Sequence, residues 1–266
     1  MKRSGLKTLV ALTVILLGCQ TTIAYAGNND NGDTGSSCRQ LPSYNALHAA
    51  LVKAQAQSNG GFGLNMWATV VNRDGVVCAV AFTGGNRGDQ WPGSRVISAQ
   101  KANTANAFSL PGLALSTADL YSATQPGGSL YGLQHSNPVD TGVAYGGNSA
   151  NYGQSNDPMV GFKIGGVNVF GGGLALYNSS KQLIGAVGVS GDSSCADHNI
   201  AWRTRHYLNL DFVPAGVGPD KSRPDNIVYD ITTQPGFAIG VSATGWGHPV
   251  CNADAETISE GLPKVP

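Results

Sequence analysis

Apolar positions recur at helical spacing in three separate stretches of the chain. The first stripe consists of Tyr44, Leu47, Leu51 and Ala54. Their three- and four-residue spacing predicts a helix over about 43–58, with His48 at the edge of the stripe. Residues 93–108, GSRVISAQKANTANAF, predict a second helix that Leu110-Pro111-Gly112 ends. Residues 194–208 predict a third, and a shorter helix is expected at about 116–123.

The second predicted helix carries two adjacent stripes of different character. Small residues form one of them: Ser98, Ala102, Ala105 and Ser109. Such a stripe lets a helix approach a sheet closely. The other contains Lys101 and Thr104, whose side chains reach the same patch because they lie three positions apart. Taken alone, Lys101 is expected to lay its methylenes on apolar surface and keep its ammonium in water.

Two hairpins separate the long helices. Within residues 64–84, two β-rich runs flank Asn72-Arg73-Asp74-Gly75, a turn sequence typical of hairpins. A second pair of runs, VFGGGLALYN and LIGAVGVSG, flanks a turn at 179–182. Because hairpins form antiparallel pairs, this order of elements predicts an α+β domain rather than a doubly wound dinucleotide fold.

The N-terminus resembles an export signal. Three basic residues precede an apolar run from Leu9 to Gly18, which is shorter than the roughly 20 residues of a membrane-spanning helix. Cleavage after Ala26 would release a periplasmic or secreted protein. Cleavage before Cys19 would instead leave a lipid-anchored membrane protein, and the sequence leaves both alternatives open. Residues 27–40, which begin GNNDNGDTGSS, are predicted to be a disordered tether.

Four cysteines remain when Cys19 is set aside, and an exported chain favours disulfides between them. They allow three pairings. We expect Cys38–Cys78 and Cys195–Cys251, because each of these would tie an extension to the central domain. Cys195-Ala-Asp-His198 lacks the spacing of covalent haem attachment, which excludes a c-type cytochrome.

Charge and composition exclude a nucleic-acid partner. The signal contains three of the 16 basic residues and none of the 16 acidic ones, so the remainder carries a net charge of −3. Phosphate backbones require a basic surface instead. The chain is rich in glycine, with 37 residues, and low in charge, at 12%. Residues 137–166 are predicted to be a long loop or insertion, and 209–266 a C-terminal extension.

Three stretches resemble the GlcG/HbpS-like family of small haem-binding and PduO C-terminal-type domains. VVNRDGVVCAVAFTG resembles its first hairpin, GSRVISAQKANTANAF its second helix, and GGGLALYNSSKQLIGAVGVSGDSSCADHNIAW its closing hairpin and last helix. The likeness covers about residues 41–208. Asn72 replaces the family's hairpin aspartate, and Leu174 replaces a proline. The resemblance implies an α/β/α arrangement with a five-stranded, profilin-like antiparallel sheet, often in a homo-oligomer.

The resemblance also implies haem, or a related tetrapyrrole, as a non-covalent ligand for uptake, storage or redox sensing. Haem iron needs an axial ligand, and histidine is a common one. His48 on the first helix is the preferred candidate, and His135 in a glycine-rich segment is the second. Lys101 would then meet a haem propionate, with Thr104 supplying a hydroxyl.

Two other functions remain as alternatives. One is an enzyme acting on a small organic acid or aldehyde, with Lys101 as anion anchor or base. The other is a structural or adhesive surface module, since Arg87-Gly88-Asp89 forms an integrin-type tripeptide. The string Gly191-Asp192-Ser193-Ser194 resembles serine-hydrolase motifs. However, the G-x-S-x-G elbow is absent and no motif pairs the serine with a histidine and an acid.

Overall fold

A computed structural model of the protein describes residues 38–266. The predicted signal peptide over 1–26, Cys19 and residues 27–37 of the predicted tether lie outside the described residues. Within the described range, no helix combines the length and hydrophobicity that crossing a membrane requires.

A four-stranded antiparallel sheet forms the centre of the fold, in the order β2-β1-β4-β3. Its strands are β1 (Trp67–Asn72), β2 (Val77–Phe82), β3 (Gly173–Tyr177) and β4 (Leu183–Ser190). Both predicted hairpins are present. In the first, Asn72 Oδ1 accepts hydrogen bonds from the backbone N–H groups of Asp74 and Val76. Gly75 adopts a φ of +77°, which a residue with a side chain rarely does.

Three long helices flank this sheet, each close to its predicted position. They are α1 (Tyr44–Gln55), α2 (Ser94–Phe108) and α6 (Ser194–Tyr207). Ser43 caps α1 and Ser193 caps α6, each accepting a hydrogen bond from the backbone three residues on. Single-turn helices lie between α2 and β3: α3 (Tyr121–Thr124), preceded by a 3₁₀ turn at Ala118–Leu120, α4 (Leu133–Ser136) and α5 (Thr141–Ala144).

The sheet separates two apolar cores, which gives the predicted three-layer α/β/α arrangement. On one face, Leu47 and Leu51 of α1 join Trp202 of α6 and the strand residues that point toward them. On the other face, Val96 and Ala99 of α2 pack on the opposite set of strand side chains. The alternation of strand side chains between faces therefore fixes α1 and α6 on one side and α2 on the other.

The small-residue stripe of α2 allows an unusually close approach to β4. A Cβ atom added to Gly188 would lie 1.9 Å from the carbonyl oxygen of Ser98 and 2.4 Å from the backbone nitrogen of Ala102. Ser98 Oγ also shares a 2.8 Å hydrogen bond with Thr69 Oγ1 of β1. The predicted contact between small residues and a sheet is thus present, and Gly188 supplies the space on the sheet side.

The prediction of a five-stranded central sheet is wrong in the strand count. Among the described residues, the segment that precedes β3 does not pair as a strand, because Gly165 and Gly166 adopt φ values of +62° and +81°. The backbone of Asn168 bonds to the side chain of Thr104. A separate two-stranded sheet forms instead near the C-terminus, from β5 (Ile231–Gln234) and β6 (Phe237–Ser242).

The predicted insertion is anchored to the domain. Asp157 forms a buried ion pair with Arg95 of α2, where the Nε–Oδ2 distance is 2.8 Å. Arg95 also donates to the carbonyl oxygen of Ala144 at 2.8 Å. The backbone of Phe162 accepts a hydrogen bond from Val77 at the edge of β2. The segment is therefore held by polar contacts and does not form a free loop.

The C-terminal extension covers α6. It contains a helix that was not predicted, α7 (Ala253–Glu260). Trp202 Nε1 donates to the carbonyl oxygen of Pro263 at 2.9 Å. Disulfides join Cys38 to Cys78 and Cys195 to Cys251, the pairing expected from the sequence. The second of these ties the extension to the first turn of α6. The domain boundaries at 41, 208 and 209 stay a prediction.

Candidate functional site

Lys101 is buried, with 1% of its surface exposed. Its ammonium lies 2.7 Å from Asp197 Oδ2 in the first turn of α6 and donates to the carbonyl oxygen of Val189 at 3.1 Å. Burial raises the pKa of Asp197 to about 6, against the lowering effect of Lys101. Burial also lowers the pKa of Lys101, against the raising effect of Asp197. The expectation that Lys101 keeps its ammonium in water is therefore wrong.

Thr104 is also buried, and its hydroxyl is used within the protein. The hydroxyl donates to the carbonyl oxygen of Gln100 at 2.8 Å and accepts from the backbone N–H of Asn168 at 2.9 Å. Neither Lys101 nor Thr104 presents its polar atoms to solvent. Their predicted contact with a ligand anion would require these buried bonds to open, so the geometry does not support it.

His48 and His135 both present an accessible imidazole. The His48 ring is half-buried and stacks on the Tyr44 ring, with the centroids 5.9 Å apart. His135 is exposed on the single-turn helix α4, after Gly132 at a φ of +89°. No hydrogen bond from either imidazole occurs within the part of the chain that the structure describes. Because α1 and α2 pack on opposite faces of the sheet, His48 lies on the other side from Thr104.

The other three histidines are engaged by protein groups. His206 Nδ1 lies 2.7 Å from Asp211 Oδ2. His198 is buried, and its Nε2 accepts from the backbone N–H of Ile227 at 3.2 Å. Burial lowers the pKa of His198 to about 3, and Arg205 lowers it further. Sequence reasoning missed this role, because the partners of His198 lie in the extension.

His248 forms a second pair that the sequence did not reveal. Its Nδ1 donates to the carbonyl oxygen of Pro249 at 2.7 Å, so the proton of a neutral ring is on Nδ1. Its Nε2 then accepts from the hydroxyl of Ser194, the first residue of α6, at 2.8 Å. The only available sequence signal was the string Gly191–Ser194, which contains no motif for its histidine partner.

The neutral state of His248 predicts a pH dependence of stability. Burial lowers its pKa to about 4, and Lys101 lowers it further, while the bond to Pro249 raises it. The folded-state pKa thus lies below the unfolded value of about 6.5. As the pH falls, the unfolded chain binds the proton first. The contribution of His248 is therefore complete above about pH 6.5 and is lost toward pH 4, at up to about 1.4 kcal/mol per pH unit.

We expect the stability difference between wild type and His248→Gln to shrink by about 2 kcal/mol between pH 7 and pH 4.5. Urea unfolding at both pH values measures this difference. Asp197 has a raised pKa and titrates with the opposite sign in the same range. Subtracting the variant from the wild type removes that shared contribution. A difference that does not change with pH would contradict the assignment.

The surface clefts of the described residues include three that no predicted site residue lines. The largest of these three, of about 770 Å³, lies between residues 122–129 and the β5–β6 hairpin. Another, of about 280 Å³, is lined by the glycine-rich segment 57–64 and Asp192. The third, of about 430 Å³, lies beside the first hairpin turn. Within residues 38–266, no three His, Cys, Asp or Glu side chains are close enough together to hold a metal ion.

The solved structures to which this chain is similar include a haem complex. A crystal structure of a PduOC–haem complex is 24% identical and covers 62% of this chain and 91% of its own, with a TM-score of 0.43. Klebsiella pneumoniae protein ORFY is 26% identical, and the match covers 63% of this chain and 90% of ORFY, with a TM-score of 0.42. A double mutant of Streptomyces reticuli HbpS is 15% identical, and the match covers 75% of this chain and 99% of HbpS, with a TM-score of 0.40.

No curated protein sequence matches the chain. The family model described as "Haem degrading protein HbpS-like" does match it, over residues 43–205. This match begins at the cap of α1 and ends two residues before the end of α6. It therefore includes the whole four-stranded sheet, α1, α2 and all but the last two residues of α6. The match spans well over half of the chain, and the protein belongs to the HbpS-like family.

Proposed function

We propose that this protein binds haem, or a related tetrapyrrole, non-covalently through residues 43–205. The observation that carries the proposal is membership of a family described as haem-degrading over that range. Haem supplies an iron centre that takes an axial protein ligand. The role in uptake, storage or redox sensing and the assembly into a homo-oligomer stay predictions.

The described residues include histidines that can serve as the axial ligand of a haem iron. Coordination of iron by histidine requires an imidazole nitrogen that no protein group already uses. His198 and His248 are buried and bonded to protein groups, whereas His48 and His135 are accessible. In His206, Asp211 occupies Nδ1. His48 lies on the three-turn helix α1 and against Tyr44, which holds its ring in one orientation. We therefore retain His48 as the proposed axial ligand and His135 as the alternative.

Titration with hemin tests the proposal. We expect saturable binding at micromolar haem with a shifted Soret band. His48→Ala should change the Soret position and raise the Kd by about tenfold, which corresponds to about 1.4 kcal/mol. His135→Ala is the matched control and should leave both unchanged. The reverse pattern would transfer the axial role to His135, and no Soret shift in the wild type would refute haem binding.

Export to the periplasm or beyond the cell is part of the proposal. Two disulfides among the described residues support it, because disulfides persist in oxidising compartments. The lipid-anchored alternative depends on Cys19, outside the described residues. Intact mass measurement of the mature protein distinguishes the two, since only the anchored form would begin at a lipidated Cys19.

The other proposed functions receive less support. In the tripeptide Arg87-Gly88-Asp89, the Asp89 carboxylate accepts from the backbone of Gly85 at 2.7 Å and of Asn86 at 3.0 Å. It is therefore bonded within its own loop. An enzyme that uses Lys101 as a base would need that side chain to leave Asp197.

A further inference from the structure

We propose that Ser194 and His248 form a second site, an acyl-transfer site that hydrolyses esters of short carboxylic acids. Ser194 would be the nucleophile and His248 the general base. This site lies at the start of α6 and uses neither His48 nor His135. It does not rest on the proposed binding of haem.

The hydrogen bonds around His248 suit a general base. The bond from Nδ1 to the carbonyl oxygen of Pro249 fixes the tautomer, as a buried carboxylate does in a catalytic triad. The lone pair of Nε2 therefore faces the hydroxyl proton of Ser194 across 2.8 Å. This distance lies within the range over which a base withdraws a proton from a nucleophile.

The position of the Ser194 oxygen is also fixed. The backbone N–H of Gly171 donates to Ser194 Oγ at 2.7 Å. A side chain at position 171 would collide with α6, because its Cβ would lie 2.5 Å from the carbonyl oxygen of Ser194. Ser194 also begins α6, and the N-terminal end of a helix carries partial positive charge. That charge favours an oxyanion forming beside the serine.

His248, the proposed base, lies in the C-terminal extension and outside the residues that the family model matches. The family match ends at residue 205, whereas His248 lies in the segment that follows β6. The Cys195–Cys251 disulfide joins the residue after Ser194 to the third residue after His248. This covalent link holds the two side chains together across 54 residues of chain. The arrangement is therefore an addition to the domain that the family shares.

The surroundings of Ser194 indicate a small apolar acyl group. Ser194 is half-buried, and its hydroxyl lies outside the three clefts described above. Phe170 precedes the glycine that bonds to Ser194, and Val250 follows the proline that bonds to His248. Both of these side chains are 47% exposed. An apolar chain of a few carbons can lie on such a surface.

The proposed reaction balances as an ordinary ester hydrolysis. Ser194 Oγ attacks the carbonyl carbon while its proton moves to His248 Nε2. The carbon–oxygen bond to the leaving alcohol then breaks, and that alcohol takes the proton from Nε2. Water attacks the acyl-serine with the same base, which releases the carboxylic acid and restores the serine.

A fluorophosphonate with a short alkyl chain tests the nucleophile directly. The Ser194 oxygen–phosphorus bond forms, the phosphorus–fluorine bond breaks, and the serine proton leaves through His248. We expect the full-length oxidised protein to be labelled at Ser194, as located by peptide mass spectrometry. Ser194→Ala should abolish the label. His248→Gln can accept the hydrogen bond but cannot take up the proton, and should slow labelling by about a hundredfold.

Ser193→Ala is the matched control. Its hydroxyl caps the same helix by accepting from Ala196, so its loss lowers stability without removing the pair. Labelling of Ser194 should persist in this variant, and thermal unfolding of every variant shows whether it is folded. An unlabelled Ser194 in the folded wild type would overturn the proposal. Labelling that proceeds equally fast in a folded His248→Gln variant would overturn it as well.

Discussion

Replacing Lys101 with methionine is expected to lower the free energy of unfolding by about 3–5 kcal/mol, because it leaves the Asp197 carboxylate buried without its partner. The side chains of Lys101 and Asp197 are 1% and 3% exposed, respectively. Asp197 keeps a hydrogen bond from the backbone N–H of Asp192 at 2.8 Å. Urea denaturation followed by tryptophan fluorescence measures the loss.

The double variant Lys101→Met, Asp197→Asn is the control for this loss. It removes both charges together, so most of the lost stability should return. The deficit of Lys101→Met should also shrink as the pH falls from 8 to 5. Burial raises the folded-state pKa of Asp197 above its unfolded value, so its penalty is present at high pH and disappears on protonation. A deficit below about 1 kcal/mol would indicate a pair open to solvent.

Removing the Cys195–Cys251 disulfide by substituting both cysteines with alanine is expected to cost about 4 kcal/mol, from the loop entropy that the bond removes from the unfolded chain. The bond closes a sequence separation of 56 residues. It also joins the α6 N-terminus to the segment that carries His248. We therefore expect slower fluorophosphonate labelling of Ser194 in this variant, provided that it remains folded.

The Cys38–Cys78 disulfide offers a matched control. Its sequence separation is 40 residues, so the same entropic reasoning gives a similar cost of about 4 kcal/mol. It links the N-terminal segment to β2, away from Ser194. Its loss should therefore lower stability while Ser194 labelling is unchanged. Equal losses of labelling in both double variants would mean that general destabilisation, rather than the position of His248, controls the reaction.

Local patterns were sufficient to predict the central elements. The Asn72–Gly75 turn fixes one hairpin through its own side chain and a glycine at positive φ, both of which short-range sequence contains. The stripe from Ser98 to Ala105 likewise predicted a close helix–sheet contact that Gly188 completes. The turn and the stripe each consist of residues that lie near one another in the chain.

The candidate sites could not be predicted in the same way, because their partners are distant in sequence. Lys101 meets Asp197 across 96 positions, and Ser194 meets His248 across 54. The helical stripe shows on which face of α2 Lys101 lies. It does not show that the Asp197 carboxylate lies within hydrogen-bonding distance of that face. The segment before β3 also makes a distant contact, because the Thr104 hydroxyl accepts a hydrogen bond from the backbone of Asn168 across 64 positions.

The contact of the extension with α6 sets an order for folding during synthesis. Leu262 enters the same apolar core as Trp202, and Pro263 receives the indole hydrogen bond. The outer side of α6 therefore stays uncovered until residues 251–263 have been synthesised and can fold back on it. A chain that stops before Cys251 would expose that apolar surface together with an unpaired Cys195 thiol.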